Sequence, residues 1–414
     1  MSKNEEQAKN MGKESSKYAF IFDRQRAERE RGITITPSQK SLQVNDKKYS
    51  VISNPGIRDF IKSMMSNVLL SDAVVFVVPA DVGSFENSMS KEGMNKRICD
   101  ILLGAQSNQI IVAINKMDAA NYSSERFNEI KEEMKSLMIR RSFKKQFVEE
   151  NVAFIPLSGW SGDNLIEKSE KMHWWDGCEV KKTNGKKVLC FTLLDILNDF
   201  IKIPKRKEKD VPLRASVDAH YQIRGIGDVV TVKCEQGIVN VGDEVVFLPS
   251  HTENKPCTGK ILSIQSSHTY VQKAFPGSIF ALNIEGLTTG NLPKKGDVMI
   301  LKSDESLKVC NRFTASVRVL EHPGQIKKGY SPISVFSSSS VATRVHNINW
   351  KMKLGSKEKE VDASFVESRD VVEIVFESVK PLAIDINCQS FTKMIMIEMG
   401  GPTMIGKVIE TDTK

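Results

Sequence analysis

The 414-residue sequence predicts an α/β domain with a parallel sheet, followed by two all-β barrel domains. Up to about residue 205, short apolar segments alternate with longer helical segments, which is typical of a parallel sheet covered by helices. Two prolines and a run of charges then mark a linker in residues 201–214. Beyond it, strands follow one another at turn signals with little helix. The predicted domains are 1–205, 211–304 and 305–414.

Four apolar segments form the predicted sheet of the first domain. Their ranges are 47–53, 72–80, 108–116 and 151–158. The middle two are nearly continuous apolar runs, as expected of buried parallel strands. Before the last strand, apolar residues recur at helical spacing behind an N-cap at Ser123 or Ser124, which predicts a helix packed on the sheet. They are Phe127, Ile130, Met134 and Leu137. Residues 191–200 predict a further helix.

Composition excludes several protein classes. The net charge of +8 and 40% hydrophobic residues suit a protein with ordinary cores. Seven scattered cysteines show no CxxC and no metal-ligand spacing, so we expect a reducing compartment without a disulfide framework or zinc site. The apolar stretches are far shorter than the ~20 residues of a membrane span. We therefore predict a cytoplasmic protein without a membrane anchor.

Two motifs follow neighbouring predicted strands. They are Asn115-Lys116-Met117-Asp118 and Ser158-Gly159-Trp160. Ligands of open α/β sheets bind beyond the carboxyl ends of the strands. Asp118 can accept hydrogen bonds from the N1 and N2 edge of guanine, Lys116 can cover the ring, and Asn115 can join the loops. Ser158 and the backbone after it can donate toward guanine O6. The first motif alone also fits an ordinary strand-end turn, but the pair predicts guanine recognition.

Longer motifs carry a family resemblance over nearly the whole chain. They include KYAFIFDRQRAERERGITI, NPGIRDFIKSMM, NKMD, SGWSGDN, PLRASVDAHYQIRGIGDV and FTASVRVLEHPGQIKKGYSP. The sequence thereby resembles the eukaryotic translation elongation factor 1 alpha family, relatives of bacterial elongation factor Tu. The resemblance implies a GTPase domain followed by two β-barrels. It also implies GTP-dependent delivery of aminoacyl-tRNA to the ribosome, with Mg²⁺ and an exchange factor.

The phosphate-binding part of the family pattern has no counterpart in these residues. The family begins with a strand and a glycine-rich P-loop ending in Gly-Lys-Ser/Thr, whose backbone N–H groups and lysine hold the phosphates. This sequence starts in what resembles the helix before switch I. We therefore expect an incomplete GTPase domain that lacks its first strand and P-loop, in an N-terminally truncated, divergent paralogue.

The switch region departs from the family at two positions. The family has Asp-x-Pro-Gly-His, in which the aspartate holds Mg²⁺ through water and the histidine places the attacking water. Here Pro55 and Gly56 remain, but Ser53 and Ile57 replace the two functional residues. A serine is a weak ligand for Mg²⁺ and an isoleucine makes no hydrogen bond to water. Thr34 matches the switch I threonine and would be a metal ligand only if Mg²⁺ is bound.

Further departures fall in the barrels. An arginine of the family becomes Lys233 and a glycine becomes Val232, while Ser337 to Ser340 replace a His-Thr-Ala-His run. Two C-terminal arginines align with Ile397 and Gly400. Because arginines make bidentate phosphate contacts, we expect a weakened grip on tRNA. Neutral change on a surface is the alternative at each position.

A missing first strand would leave a gap of ~10 Å between the strand ending at Ser53 and the next strand. Three outcomes are open. The sequence omits a real N-terminal segment, the two strands close on one another, or another chain donates a strand. Elsewhere, we expect Trp174 and Trp175 to pack locally rather than form a partner surface, and His322-Pro323-Gly324 to be a structural turn.

Two main functions follow from the sequence. The first is a pseudo-GTPase without a required cofactor, acting as a binding or structural subunit on the ribosome, actin or microtubules. The second is a working elongation factor that binds GTP or GDP and Mg²⁺, with an N-terminal strand and P-loop absent from the gene model. A third is a release, recycling or dormancy factor of the same superfamily. The basic net charge is compatible with nucleic acid or acidic filaments, and equally with an ordinary solvated surface.

Overall fold

The computed structural model describes residues 3–14, 17–90, 92–182, 184–266, 269–337, 339–398 and 401–412. They form two structural units. The first unit comprises the described residues up to Met64 together with Ser71–Ile203. The second comprises Met65–Leu70 and the described residues from Pro204 onward.

The first unit mixes helices with short strands. Its strands are β1 (Ser38–Val44), β2 (Lys47–Ser53), β3 (Val74–Pro79), β4 (Ile110–Asn115), β5 (Val152–Pro156), β6 (Cys178–Lys181) and β7 (Lys187–Cys190). The helices in this part of the chain are α1 (Lys3–Asn10), α2 (Arg26–Arg31), α3 (Ile61–Leu70), α4 (Ser84–Met89), α5 (Met94–Gly104), α6 (Ser124–Arg140), α7 (Lys145–Asn151) and α8 (Leu193–Asp199).

A parallel sheet of β3, β4 and β5 lies at the centre of this unit. The central strand β4 is buried along almost its whole length, as its continuous apolar sequence predicts. In β3 the alternate residues Val75 and Val77 are 41% and 55% exposed. One face of this strand is therefore open, although its sequence is that of a strand buried on both faces.

The prediction that residues 47–53 belong to the parallel sheet is wrong. β2 pairs antiparallel with β1, and within the described ranges the resulting hairpin does not join the sheet of β3. Direct closure of β2 on β3 is therefore not the outcome in this structure. The hairpin instead contacts α8 through polar groups, since Lys47 Nζ donates to the carbonyls of Asn198 and Ile201, each at 2.5 Å.

The predicted helices are present. Ser123 is the N-cap of α6 and accepts a hydrogen bond from Arg126 N at 3.2 Å. The four apolar residues predicted to face the sheet are all buried. α8 begins behind a capping box of Thr192 and Asp195. The sequence did not predict the small antiparallel hairpin of β6 and β7 that precedes it.

The second unit contains two β-barrels. The first barrel has strands β8 (Arg214–Ile223), β9 (Gly227–Gln236), β10 (Val239–Asn240), β11 (Glu244–Leu248), β12 (Thr258–Ser266), β13 (Thr269–Val271), β14 (Lys273–Ala274), β15 (Ile279–Glu285) and β16 (Val298–Leu301). Six of them follow the order β11-β16-β8-β9-β15-β12, and pairing of β11 with β12 closes the barrel.

The second barrel has the same closed arrangement. Its elements are β17 (Val309–Val319), β18 (Ile326–Lys327), β19 (Ile333–Val335), β20 (Ser340–Lys353), β21 (Glu360–Val361), β22 (Phe365–Val366), β23 (Asp370–Ala383), α9 (Gln389–Thr392), β24 (Lys393–Glu398) and β25 (Gly401–Asp412). β19 pairs with both β20 and β24, which closes six strands. The His322 turn is structural, since its ring contacts the Gly324 carbonyl at 2.8 Å and Glu398 at 3.3 Å.

A buried arginine joins the barrels. Arg214 is 1% exposed, and its guanidinium contacts Asp385 at 2.6 Å and Asp304 at 2.5 Å. Ser306 accepts a third hydrogen bond from it at 2.8 Å. Since Arg214 begins β8 and Asp385 follows β23, this cluster fixes the two barrels to one another.

Candidate nucleotide-binding site

The two predicted recognition motifs meet at the carboxyl edge of the parallel sheet. Asn115 ends β4, and its Oδ1 accepts hydrogen bonds from Lys116 N and Gly159 N, both at 2.8 Å. A Cβ on Gly159 would lie 3.4 Å from the same oxygen, so a larger residue there would crowd this contact. Asn115 therefore joins the two loops, which is the role that its position predicts.

Ser158 and Asp118 form the second link between the loops. The Ser158 hydroxyl donates to Asp118 Oδ1 at 2.6 Å and accepts from Ser161 N at 3.1 Å. Ser158 itself is fully buried, while Asp118 is half-buried. The carboxylate thus has a fixed orientation before any ligand binds.

Lys116 is held by an aspartate that sequence reasoning missed. Its Nζ lies 3.1 Å from Asp81 Oδ1, just beyond the end of β3. Burial raises the pKa of Asp81, but hydrogen bonds from Ser84 and Lys116 lower it more, so the carboxylate stays charged. The sequence could have indicated Asp81 as a site residue, because Asp81 follows an apolar strand and parallel strands end at the same edge of the sheet.

A polar network supports the second loop from behind. Asp163 accepts hydrogen bonds from Ser169 Oγ at 2.8 Å and Tyr122 Oη at 2.9 Å, and Lys171 Nζ lies at 3.3 Å. Burial raises the pKa of Asp163, but these donors outweigh it and hold that pKa below its usual range. The backbone of Asp163 also accepts from Ser158 N at 3.1 Å.

The two tryptophans pack locally, as predicted. Trp174 Nε1 donates to the Tyr122 carbonyl at 2.7 Å, and Trp175 Nε1 donates to the Phe191 carbonyl at 2.9 Å. Both rings lie beside Phe127, at 5.4 and 5.5 Å between centroids. The pair therefore supports the Tyr122 turn that follows the first motif.

Two residues from the start of the chain lie against Trp160. The Tyr18 ring contacts the Trp160 ring edge-on at 5.9 Å, and Lys17 Nζ lies 5.1 Å from the Trp160 ring. Trp160 remains 49% exposed. Sequence reasoning missed both residues, because nothing in the local pattern connects positions so far apart in the chain.

Thr34 is engaged within its own loop. Its hydroxyl donates to Asp23 Oδ1 at 2.9 Å. Glu28 accepts from Ile35 N at 3.0 Å and Thr36 N at 2.9 Å. Burial raises the pKa of Glu28, but these and other backbone donors lower it more. The loop is therefore braced by two acidic side chains.

The substituted switch residues lie at the end of the β1–β2 hairpin. Ser53 is the last residue of β2 and is paired with Ser38, and Ile57 caps the short turn that leads into α3. Pro55 is buried between them, and Gly56 is exposed. In the part of the chain that the structure describes, no group of three His, Cys, Asp or Glu side chains is placed to hold a metal ion.

The barrel substitutions lie at buried and exposed positions. Lys233 is buried and paired with Glu235 at 2.8 Å, and Val232 lies in the barrel core. Ser337 and Ile397 are also buried, whereas Ser340 is exposed. The weakened grip on tRNA stays a prediction. Ser338 and Gly400 lie outside the described residues.

No helix of the described ranges is long and apolar enough to cross a membrane.

A parallel sheet that carries these motifs, followed by two closed barrels, defines the class of translation-factor GTPases. The family model for the elongation factor Tu GTP binding domain matches residues 1–203, and the GTP-eEF1A C-terminal domain-like model matches residues 312–409. The elongation factor 1-alpha of Desulfurococcus mucosus is 35% identical over 411 residues, covering 98% of this chain and 88% of the relative. The chain belongs to the elongation factor 1-alpha family.

Other relatives and solved structures agree. The elongation factor 1-alpha of Plasmodium falciparum is 35% identical over 382 residues, covering 92% of this chain and 81% of that protein. The S. cerevisiae Ski7 GTPase-like domain, bound to GDP and inorganic phosphate, superposes with a TM-score of 0.75 at 16% identity, covering 99% of this chain and 90% of that one. The elongation factor SelB from Methanococcus maripaludis superposes with a TM-score of 0.67 at 20% identity, covering 92% of this chain and 74% of that one. These two structures share the fold.

Proposed function

We propose that this member of the elongation factor 1-alpha family is a pseudo-GTPase that recognises guanine without hydrolysing GTP. The observation that carries the proposal is the pair Ser53 and Ile57 at the end of β2. A hydroxyl there is a poor substitute for a carboxylate near Mg²⁺, and an alkyl side chain cannot orient water. Loss of a positioning group commonly lowers rates by ~10² to 10⁴.

The state of Thr34 supports the same proposal. Its hydroxyl donates to Asp23, so binding a metal ion would require it to leave that contact. Burial raises the pKa of Asp23, while the hydrogen bond from Thr34 lowers it, so the hydroxyl of Thr34 is already used within its own loop.

The base-recognition edge supports retained binding of guanine. Asn115, Lys116, Asp118, Ser158 and Gly159 are held by contacts of 2.6 to 3.1 Å within the protein. Such preorganisation lowers the entropic cost of binding a base. Trp160 adds an exposed ring beside these residues.

A working elongation factor is the second candidate. The specific support is identity of 35% across 98% of the chain, which includes both recognition motifs. In this case a strand and P-loop encoded upstream would supply the phosphate contacts. Within the described residues β3 is paired with β4 along one edge only, so its other edge is compatible with an added strand, from this chain or from another.

Titration of purified protein with guanosine, GDP and GTP, with and without Mg²⁺, separates the two candidates. The pseudo-GTPase is expected to bind all three with similar affinity, without a Mg²⁺ effect and without phosphate release. Asp118→Ala should weaken binding of each. Tight Mg²⁺-dependent GTP binding with turnover would instead support the working factor, and no guanine binding by the unaltered protein would exclude both.

We further propose that the protein serves as a binding subunit of a large assembly. The net charge of +8 favours the ribosome or another acidic surface, including actin filaments and microtubules. Co-sedimentation with each of these at two salt concentrations tests the proposal. Recovery in all supernatants at low salt would contradict it, and binding of aminoacyl-tRNA in a filter assay would favour the elongation factor.

A further inference from the structure

Two cysteines lie directly opposite one another in the β6–β7 hairpin. Cys178 and Cys190 are paired in the register of the two antiparallel strands. Side chains alternate between faces along a strand. Glu179 and Leu189, the next pair, are exposed, so both cysteines point to the other, more buried face. Both are free thiols in this structure.

Their spacing suits a disulfide bond. Residues directly opposite in antiparallel strands have Cα atoms ~4.5 to 5.5 Å apart. Disulfides form at Cα separations of ~4.4 to 6.8 Å. The backbone of the hairpin therefore needs no rearrangement to bring the two sulfur atoms together. Cys310 lies opposite Leu382 and Cys99 lies in helix α5, so these two cysteines offer internal comparisons.

We propose that Cys178 and Cys190 form a reversible, oxidant-driven modification site that closes the β6–β7 hairpin with a disulfide bond. With a small disulfide as oxidant, the Cys178 thiolate attacks one sulfur and releases one thiol. The Cys190 thiolate then attacks the mixed disulfide at the Cys178 sulfur and releases the second thiol. Two protons leave the cysteines, and the two electrons reduce the oxidant to two thiols. Cys178 reacts first because it is half-buried, whereas Cys190 is fully buried.

The surroundings make this a slow site rather than a catalytic one. Burial raises the pKa of Cys178 to about 12, with a further contribution from Cys190, and burial raises the pKa of Cys190 to about 12. Lys131 and Asp195 face Cys178, while Asp199, Asp195 and Lys182 face Cys190. Both thiols are therefore mostly protonated at neutral pH, so the oxidation rate should rise with pH.

The position of the bond connects it to the neighbouring loops. Cys190 precedes Phe191, whose carbonyl accepts from Trp175, and a Cβ on Gly177 would lie 2.9 Å from the Cys190 carbonyl. The disulfide would therefore fix the open end of the hairpin next to the tryptophan pair. This proposal is independent of nucleotide binding.

Oxidation of the full chain with glutathione disulfide at pH 7 and pH 9 tests the site. After removal of oxidant, free thiols are alkylated under denaturing conditions and peptides are mapped by mass spectrometry. We expect a linked Cys178–Cys190 peptide, formed faster at pH 9 than at pH 7 and lost on treatment with dithiothreitol. Full alkylation of both cysteines after prolonged exposure, in a protein whose circular dichroism is unchanged, would overturn the proposal.

Variants identify the pair. Cys178→Ser and Cys190→Ser should each prevent the cross-link, whereas Cys99→Ser, which alters a buried cysteine of α5, should leave it intact. Mapping on the unaltered protein does not depend on the folding of any variant. Cross-linking of Cys178 to another cysteine, or of two chains to one another, would also contradict the proposal.

Discussion

Ser158 donates its hydroxyl hydrogen to Asp118 across 2.6 Å, so the carboxylate predicted to read guanine is already oriented by the neighbouring loop. Asn115 provides a second link between the two loops, because its Oδ1 accepts a hydrogen bond from Gly159 N. A base entering this edge would meet groups that need no rearrangement, which is the physical basis of selective recognition.

The first prediction concerns the guanine amino group. A carboxylate that accepts from N1 and N2 gains a charge-assisted hydrogen bond from the exocyclic amine, which hypoxanthine lacks. Inosine nucleotides should therefore bind ~10 to 100-fold more weakly than guanine nucleotides. Competition of unlabelled GDP and IDP against a fluorescent GDP measures the ratio. Asp118→Ala should bring the ratio close to one, and equal affinities in the unaltered protein would show that Asp118 does not contact the base.

Local sequence patterns were sufficient to predict that the two motifs meet at this edge of the sheet. Both motifs follow apolar runs, and parallel strands bring their carboxyl ends together whatever the loops contain. The helix α6 was equally predictable, because its apolar spacing and its Ser123 cap are local signals. The two closed barrels follow from dense turn signals between short strands.

Long-range polar contacts were not predictable. Residues 47–53 form a strand, but this strand pairs with β1 rather than with the parallel sheet. Lys47 in this strand donates a hydrogen bond to the carbonyl of Asn198, about 150 residues away in the sequence. Lysine is usually a surface residue, but Lys233 is buried and its ammonium group contacts Glu235 and the Leu70 carbonyl. Contacts between distant segments leave no periodic trace in a sequence, so the contact of Tyr18 with Trp160 also escaped prediction.

The second prediction concerns acid. The pKa of Asp163 is lowered in the folded protein, so this carboxylate stabilises the second loop above the ordinary aspartate pKa of ~3.9. That stabilisation is lost as the pH falls through the lowered pKa of the folded state. We expect amide exchange around residues 158–171 to accelerate, relative to intrinsic rates, as the pH approaches 3. Asp163→Asn should show faster exchange already at pH 7, corresponding to ~1 to 3 kcal/mol.

The same pH series contains its own comparison. Exchange in β4, which has no side chain in this network, should follow intrinsic rates over the range in which the loop responds. If both segments lose protection together, the acid effect reflects unfolding of the whole unit rather than titration of Asp163.

The third prediction concerns the buried arginine between the barrels. Arg214→Met would leave the carboxylates of Asp304 and Asp385 without the guanidinium that pairs with them at the buried contact between the barrels. Breaking one partner of a buried ion pair typically costs ~3 to 5 kcal/mol. Denaturant unfolding of the second unit should register this loss. The exposed pair Lys302 and Glu244 provides a matched control, since Lys302→Ala should change stability by no more than ~1 kcal/mol. Equal effects of the two substitutions would contradict the structural role of Arg214.

The fourth prediction concerns the attachment of the β1–β2 hairpin to α8. The last carbonyls of a helix lack partners within the helix, and here Lys47 and Tyr49 supply them. Lys47 Nζ donates to Asn198 and Ile201, and Tyr49 Oη donates to the Leu197 carbonyl at 2.6 Å. Because β2 has no pairing with β3 in the described residues, these contacts rather than a shared sheet hold the hairpin.

Removing the donors should release the hairpin while the parallel sheet stays intact. Tyr49→Phe deletes one hydroxyl and should cost ~1 kcal/mol of local stability, and Lys47→Met should cost ~1 to 3 kcal/mol because it deletes two charge-assisted hydrogen bonds. Hydrogen exchange across residues 38–53 measures the release, with β4 as the unaffected reference. Lys48→Met alters the adjacent exposed lysine and should change nothing. Protection that survives in the Lys47→Met, Tyr49→Phe double variant would mean that packing or the hydrogen bond from Asn45 to Asn198, not these donors, fixes the hairpin on α8.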